Sequence, residues 1–166
     1  MRTEFLTYIT DVIDNKYIGI KFDSSNDNTI SDFLERLKEY VGEDKFTRLV
    51  NNHTSRDLRD DYTHHLTVLN VMECNYIIKS IGSDGFNTKI SLWLTLAISD
   101  LKMLGIGSIM DKEEKNETFY IICESKMLDN IRSEFGLHKR DFHVTLGFID
   151  KDVFDSPKDI STLLEI

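Results

Sequence analysis

Cysteine, proline and long hydrophobic runs are all scarce in this sequence. Its two cysteines, Cys74 and Cys123, have no metal-ligand spacing to each other or to a histidine, so we interpret both as small buried apolar residues. No run of eighteen apolar residues occurs, and charged residues interrupt the first fifteen positions, so the sequence predicts neither a membrane span nor a secretory signal. We therefore expect a cytoplasmic protein with no membrane partner.

Positive charge is also in short supply. Lysine and arginine number 20 against 29 aspartates and glutamates, which gives a formal net charge of -9. Such a chain repels a long phosphate backbone, and this argues against duplex DNA as a partner. A small nucleotide, held in a local basic pocket, is easier to accommodate, and a short RNA end is an alternative.

Signals for a second domain, a phosphate-binding loop and a metal site are missing too. Hydrophobic residues make up 40% of the 166 positions and no linker interrupts them, so we expect one globular domain over residues 1–166. Gly105 and Gly107 lack the further glycine and the lysine of the nucleotide-binding fingerprints. Neither paired carboxylates nor a convincing zinc or magnesium ligand set stands out, so we expect no metal and no cofactor.

The chain does carry one short unit twice, in the strings YTHHLTVLN and FHVTLGF. Residues two apart leave the same face of a β-strand, so each string puts a histidine beside a threonine. The two pairs are His65 with Thr67 and His143 with Thr145. Five histidines and thirteen threonines in 166 residues give roughly 0.4 such triplets by chance. One pair alone is better explained as a satisfied core histidine, but two copies in apolar strands, one in each half, favour a functional pair.

The two units resemble the signature of the two-histidine (2H) phosphoesterase superfamily, which is a pair of H-h-[ST]-h motifs half a domain apart. The sequence matches it in full at both places, with HLTV beginning at His65 and HVTL beginning at His143. The resemblance spans about residues 17 to 149. It implies a single bilobal α/β (α+β) domain, in which two pseudo-symmetric halves line a central cleft with antiparallel sheets and place helices outside. The halves would be about residues 1–85 and 86–166.

The resemblance also implies four catalytic residues, namely His65, Thr67, His143 and Thr145. Hydrolysis of a phosphodiester requires one proton to leave the attacking oxygen and another to reach the leaving oxygen. Histidine serves either purpose because its ordinary pKa is about 6.5, so one neutral histidine can act as base and one charged histidine as acid. The threonine hydroxyls would donate hydrogen bonds to the non-bridging oxygens as negative charge develops there.

Three further residues are predicted to bind substrate, namely Tyr17, Trp93 and Arg140. Trp93 is the only tryptophan, and it either packs in the core or stacks on a nucleobase at the cleft. Tyr17 has the same two interpretations. Arg140 belongs to a basic cluster with His138 and Lys139, which either holds a phosphate or complements the end of a helix.

Members of the superfamily act on 2',3'-cyclic phosphates, 2',5' linkages and cyclic nucleotides, so the resemblance leaves several substrates open. The small acidic chain looks most like the phage enzymes that degrade the cyclic oligonucleotide signals of bacterial CBASS immunity, which would act in the host cytoplasm. A processing enzyme for RNA ends or 2',3'-cyclic phosphates is the nearest alternative. The others are a non-catalytic binder of nucleotides or RNA ends, and an interaction protein whose motifs are core.

Apolar periodicity predicts the other elements. Helices are expected at about residues 3–14, 30–41, 45–50 and 126–135. Strands besides the two motif strands are expected at 16–23, 89–98, 104–110 and 118–125. Of these, residues 89–98 are expected to pair with residues 104–110. Residues 71–80 fit either a helix or a strand, residues 82–85 a turn, and residues 114–117 the tip of a hairpin.

The polar residues of the stretch before the first motif are expected to be structural or solvated. His53 is interpreted as an exposed loop residue because it has no partner at a recognisable spacing. Arg56 and Arg59 have aspartate neighbours, which favours solvated surface over phosphate binding. His64 would point to the opposite strand face from His65, and we interpret it as structural.

Overall fold

The structure is a computed structural model that describes residues 4–11, 13–22, 28–56 and 64–166, without the side chains of residues 54–56. The described part forms eight strands, four α-helices and one 3-10 turn. The strands are β1 (Glu4–Phe5), β2 (Thr7–Thr10), β3 (Lys16–Phe22), β4 (His64–Leu69), β5 (Ala97–Ile98), β6 (Lys102–Met110), β7 (Glu117–Glu124) and β8 (His143–Phe148). The helices are α1 (Asn28–Val41), α2 (Glu43–Arg56), α3 (Val71–Leu94) and α4 (Lys126–Glu134), and the 3-10 turn is Ile160–Thr162.

Six of the strands form one antiparallel sheet in the order β2-β3-β4-β8-β7-β6, while β1 pairs with β5. The two motif strands, β4 and β8, are neighbours at the centre of this sheet, with Leu66 opposite Val144. On either side the sheet continues into a hairpin, β2–β3 beside β4 and β6–β7 beside β8. A hairpin, then helical structure, then the motif strand thus occurs twice, with two helices in the first half and one in the second. The predicted α/β fold with antiparallel strands is confirmed, and its two halves repeat in topology.

Both motif strands carry a bulge at the same motif position. Thr67 lies opposite Gly19, but Leu69 lies opposite Ile18, so Val68 is an extra residue in β4. In β8 the same register shift leaves Leu146 as the extra residue, directly after the motif threonine. A bulge bends its strand and resets which residues face each side. The repeat between the halves therefore extends to the local shape of each motif strand.

Each motif strand is also packed by a helix from the other half. Leu49 of α2 is fully buried against β8, where a Cβ at Gly147 would lie 2.7 Å from the Leu49 carbonyl oxygen. Only glycine lets the two backbones approach this closely. On the other side, Arg132 of α4 donates a hydrogen bond of 2.8 Å to the carbonyl of Val68 in β4. This crossed packing ties the two halves together across the central strand pair.

The C-terminal segment, residues 151–166, packs against the hairpin β6–β7. The Val153 amide donates to the Thr118 hydroxyl at 2.9 Å, and the Leu164 amide donates to the Ile106 carbonyl at 2.8 Å. The Tyr120 hydroxyl donates to Thr162 Oγ1 at 2.6 Å. Because Tyr120 lies opposite the motif threonine of β8, the segment covers the sheet on the face that carries the second motif.

The predicted helix over residues 3–14 is wrong, because the described residues of this stretch form β1, β2 and the turn after them. Ile9 lies opposite Tyr17 in the first hairpin and is fully buried. The turn is closed by the Asp11 carboxylate, which accepts hydrogen bonds from the amides of Ile13 and Asn15. Apolar residues at positions 5, 6 and 9 fit a helical spacing, but pairing with β3 decides the conformation.

The predicted strand over residues 89–98 is also wrong, because α3 continues through Leu94 and only Ala97 and Ile98 are extended. Phe86 and Ile90 are both buried, and their spacing of four marks one helix face within an evenly apolar string. Residues 71–80, which fitted either state, are helical, and the expected turn is reduced to a kink at Gly82 with φ of 81°. Residues 104–110 form part of β6 and pair with β7 instead. The half-domain boundary expected near residue 85 falls inside α3.

The other predicted elements are confirmed within one to several residues. They are the strands β3, β6 and β7, the helices α1 and α4, the hairpin tip before β7, and α2, which is longer than expected. Gly42 and Gly136 follow α1 and α4 with φ of 90° and 72°, the left-handed conformation expected of glycine after a helix. Both cysteines are buried, and neither forms a disulfide. Among the described helices, none has the length and apolar character needed to cross a membrane.

Candidate active site

The central strand pair brings the four motif side chains onto one face of the sheet. Leu66 and Val144 are paired and fully buried on the core face, so their neighbours point to the opposite face. In this register His65 lies across from Thr145, and Thr67 across from His143. The two histidines are thus diagonal neighbours on one face, a relation that spans about 7 to 8 Å between strands.

His143 is held in one tautomer. Its Nδ1 lies 2.7 Å from the carbonyl oxygen of Asp141, and because a carbonyl only accepts, Nδ1 carries the proton and Nε2 presents its lone pair. Burial, and after it the charge of Lys158, lowers the pKa of His143 to about 4, with a further contribution from Arg140. The carbonyl of Asp141 and the charge of Asp152 act in the opposite direction. The ring is therefore neutral near pH 7 and able to accept a proton at Nε2.

His65 has a different neighbour. The hydroxyl of Tyr17, on β3, lies 3.2 Å from Nε2 of His65, and the two rings meet edge to face with centroids 5.8 Å apart. A phenol hydroxyl can both donate and accept, so Tyr17 satisfies this nitrogen in either protonation state of the histidine. The structure thus places Tyr17, a predicted substrate-binding residue, directly on the first motif.

Arg140 lines a small cavity beside His143. The cavity has a volume of about 180 Å³ and its walls include Asp141, Phe154 and Lys158. Arg140 also lies 3.9 Å from the carboxylate of Glu73. The predicted phosphate-binding residue and the second motif histidine therefore border the same space.

A sequence model of the family described as "2H-SAK: Swiss Army Knife, 2H phosphoesterase domain" matches residues 28–154. The chain belongs to the 2H phosphoesterase family. The family comprises hydrolases that act on phosphoesters, and the match covers both motifs but neither Tyr17 nor Lys158. No curated protein and no solved structure matches the chain.

The structure does not bring Trp93 to the motifs of this 2H phosphoesterase. The indole Nε1–H donates to the Glu134 carboxylate at 2.8 Å, which links the end of α3 to the end of α4. The rest of the ring packs against the core. None of the hydrogen bonds or ring contacts described for Trp93 involves a residue of β4 or β8. Its predicted stacking on a nucleobase stays a prediction, while these contacts favour a packing role.

His53 is not an exposed loop residue, which corrects the expectation from the sequence. It lies on α2, which extends past residue 50, and only 9% of its surface is exposed. Its ring stacks on that of His64 at 5.5 Å and meets Phe148 edge to face. Burial, and after it the charges of His64 and His65, lowers the pKa of His53 to about 4. His64 packs in this cluster, as expected of a structural residue.

A larger cavity of about 710 Å³ lies at the end of β8, where Phe148 lines it. It is bordered by His53, Phe148, the tip of the hairpin β6–β7 and the segment Lys151–Asp155. Phe154 lines both this cavity and the small one at His143, and the residue is 83% exposed. The larger volume is in the range that accommodates a nucleotide-sized ligand. Sequence spacing carried no signal for it, because its walls come from four separate stretches.

No group of three or more histidine, cysteine, aspartate or glutamate side chains in the described stretches of the chain is arranged to hold a metal ion. The histidines around His53 and His64 form no such group either.

Arg132 connects the elements that carry the two motifs. Its side chain is only 6% exposed and donates to the Val68 carbonyl, to both carboxylate oxygens of Glu73 and to the His138 carbonyl, at 2.7 to 2.9 Å. Glu73 in turn forms the capping box of α3 with Asn70. One guanidinium thus ties α4 to β4, to the start of α3 and to the loop that leads into β8.

We predict that Arg132→Met lowers the free energy of unfolding by about 3 to 5 kcal/mol, because the half-buried Glu73 carboxylate loses its bidentate partner and the Val68 and His138 carbonyls lose their donor. Chemical denaturation measures this change. Lys102→Met is the matched control, since Lys102 and Glu124 are 3.7 Å apart with side chains 71% and 55% exposed, and such a pair contributes below about 1 kcal/mol. Equal losses in the two variants would contradict the anchoring role of Arg132.

The ion pair between Arg132 and Glu73 also predicts that the stability of the protein depends on pH. Burial alone would raise the pKa of the Glu73 carboxyl, yet hydrogen bonds from Arg132 and the Asn70 amide hold it below its usual value. A lowered pKa in the folded state stabilises the protein above the unfolded pKa, and this stabilisation is lost as the pH falls through the folded value. The difference in stability between wild type and Arg132→Met should therefore narrow below about pH 4.

Proposed function

We propose that this chain is a metal-independent phosphodiesterase that hydrolyses nucleotide phosphodiester bonds with its two H-x-T motifs. The observation that carries the proposal is the diagonal placement of His65 and His143 on one sheet face, each across from the threonine of the other motif. A matched acid and base are not needed for binding alone. This arrangement therefore favours catalysis over a non-catalytic binder of nucleotides or RNA ends.

The surroundings of the two histidines suggest how they divide the reaction. His143, neutral and with its Nε2 lone pair available, would take the proton from the attacking oxygen. His65, charged, would give its proton to the leaving oxygen, with the Tyr17 hydroxyl orienting the ring before substrate binds. Thr67 and Thr145 would donate hydrogen bonds to the non-bridging oxygens. One proton is taken up by His143 and one is released by His65, so the pair is restored by proton exchange with water.

We further propose that the substrates are cyclic oligonucleotide signals of the kind that phage anti-CBASS enzymes degrade in the host cytoplasm. The larger cavity supports this, since it offers space for a second nucleotide next to the cavity at His143. Tyr17 is retained as a candidate for base contact, and Arg140 as a candidate for phosphate contact. The alternative is a phosphoesterase for RNA ends, 2',3'-cyclic phosphates or 2',5' linkages.

A panel of substrates distinguishes the enzyme for cyclic oligonucleotides from the alternative phosphoesterase. The full chain is incubated with cyclic dinucleotides, cyclic trinucleotides, 2',3'-cyclic mononucleotides and 2',5'-linked dinucleotides, and products are identified by mass. Turnover of the cyclic oligonucleotides well above that of the other compounds is the expected result. Selective turnover of the mononucleotides or of the 2',5' linkages would reject the signal-degrading assignment and establish the alternative.

We predict that His65→Ala and His143→Ala each lower turnover by roughly 10²- to 10⁴-fold on the best substrate, the scale of a lost acid or base. Both variants should stay folded, which thermal melts verify. His138→Ala is the matched control, because His138 is exposed and its described hydrogen bond uses only the backbone carbonyl. Normal turnover in either folded motif variant would rule out the two-histidine mechanism.

The low pKa of His143 sets the acid limb of the pH profile. A base must be neutral to work, so activity is present above its pKa and lost as the pH falls through it. We predict that the acid limb of kcat/KM lies below the ordinary histidine value of 6.5, toward about 4, and that a basic limb reports deprotonation of the acid. A profile that rises steadily through pH 9 would indicate another base.

Independence of metal ions is tested separately. We predict unchanged turnover after dialysis against EDTA, because two histidines can perform both proton transfers without a Lewis acid. Added zinc, magnesium and manganese are assayed one at a time on the dialysed protein. Full loss of activity that a single metal restores would contradict this part of the proposal.

A further inference from the structure

Lys158 is a buried cation beside the second motif. Only 5% of its side chain is exposed, although lysine is almost never buried unless its charge is paired. Its Nζ donates to the Asp152 carboxylate at 2.8 Å. The ammonium also lies 5.6 Å from the ring centre of Tyr120 and 5.3 Å from that of Phe154. The C-terminal segment therefore places a positive charge where the sequence carried no motif.

The ammonium group of Lys158 has more N–H donors than its described hydrogen bond uses. It carries three N–H bonds, and within the described residues one of them is used by the Asp152 carboxylate. The two aromatic faces attract the charge but supply no oxygen acceptor. An anion with several oxygens would complete the coordination of this group.

The space next to Lys158 has the size and charge for a phosphoryl group. The cavity of about 180 Å³ is bordered by Lys158, Arg140 and His143, with Asp141 as its carboxylate and Ser156 as a hydroxyl. Its volume equals that of about six liquid water molecules, which is well below what a nucleoside requires. Two cations, Arg140 and Lys158, border this cavity, while Glu73 and Asp152 pair with them from outside its lining.

The sheet register puts this pocket on the catalytic face. Tyr120 lies opposite Thr145, and its ring meets that of His143 edge to face with centroids 5.8 Å apart. Lys158 is held against the same tyrosine ring. Its charge is thus fixed relative to the two second-motif side chains by one shared neighbour.

We propose that Lys158 is a phosphate-binding residue of this site, whose ammonium group, oriented by Asp152 and by the rings of Tyr120 and Phe154, donates hydrogen bonds to the phosphoryl oxygens of a substrate at His143. The inference rests on the proposed function. It adds to the two motifs a positioning cation from the segment that follows the residues matched by the family model. In the rival interpretation, the ion pair between Lys158 and Asp152 has only a structural role, which is to hold residues 152 and 158 together.

Inorganic phosphate is the probe, because it requires no knowledge of the natural substrate. Phosphate is titrated into the full chain and its binding is followed by NMR at the ring protons of His143. We expect Lys158→Met to weaken phosphate binding by about ten- to a hundredfold, the scale of a hydrogen bond between charged groups. Unchanged affinity in a folded Lys158→Met protein would overturn the proposal.

Lys45→Met is the matched control. Lys45 also forms an ion pair, 2.9 Å from Glu117, and also lies over an aromatic ring, 5.4 Å from the centre of Phe119. It belongs to α2, however, and does not border the cavity at His143. Phosphate affinity should be unchanged in Lys45→Met. An equal loss in both variants would show a general effect of charge and would reject a specific role for Lys158.

The pKa of His143, read from the same spectra, gives a second measurement, which tests whether the Lys158 ammonium lies close enough to this ring to share a phosphate with it. The charged groups around this ring are Lys158, Arg140, Asp152 and Asp141, of which the first two favour the neutral form. Removing the Lys158 charge should therefore raise the pKa of His143, while Lys45→Met should leave it in place. An unchanged pKa in Lys158→Met would place the ammonium too far from His143 to share a phosphate with it.

Asp152→Asn covers the case in which Lys158→Met does not fold. It keeps the ammonium and removes the carboxylate that competes with phosphate for it, so phosphate should bind more tightly than to wild type. Unchanged or weaker phosphate binding in a folded Asp152→Asn protein would overturn the proposal.

These binding measurements are independent of turnover. Loss of phosphate affinity in Lys158→Met together with full activity of the histidine variants would reject the proposed function and keep the anion site. Inactive histidine variants together with normal phosphate affinity in Lys158→Met would reject the anion site alone.

Discussion

The antiparallel pairing of β4 with β8 is the contact on which the site depends. It places Leu66 opposite Val144 in the core, and the alternation of side chains then puts both H-x-T pairs on the other face in a fixed diagonal register. A slip of one residue in either strand would send its histidine into the core. The matching bulges at Val68 and Leu146, directly after the two threonines, mark the same point in each strand and resist such a slip.

The pairing is held by contacts that cross between the halves. Helix α2 belongs to the first half but packs its backbone on Gly147 of β8, and α4 belongs to the second half but reaches β4 through Arg132. Neither half can therefore move without loosening the motif strand of the other. The buried guanidinium satisfies the carbonyl that the bulge at Val68 frees, so the irregularity in the strand and the ion pair with Glu73 support each other.

The parts of this fold that were predictable are those with a local pattern. The motif strands, β3, β7 and α4 alternate or repeat cleanly, and the glycines after α1 and α4 mark their ends. Residues 3–14 and 89–98 were mispredicted because strand pairing in one case, and a helix capped by Asn70 and Glu73 about twenty residues upstream in the other, outweighed local apolar spacing. The candidate site also divides into residues with and without a local sequence pattern. His65 and His143 lie in recognisable motifs, whereas Lys158 lies beside them only because a chain segment folds back over Tyr120.

The two motif strands are symmetric in topology, but the residues around their two histidines differ. The two motifs occupy equivalent strands with equivalent bulges, so the frame alone offers no reason for one histidine to be the acid and the other the base. The difference comes from added neighbours: a phenol hydroxyl at Nε2 of His65, against a backbone acceptor at Nδ1 of His143 with two cations near its ring. Cations beside a histidine favour its neutral form and at the same time attract the phosphate it acts on. In the proposed mechanism the same charges would prepare the base and position its substrate, which would link the different roles of the two histidines to the segment that follows the second motif.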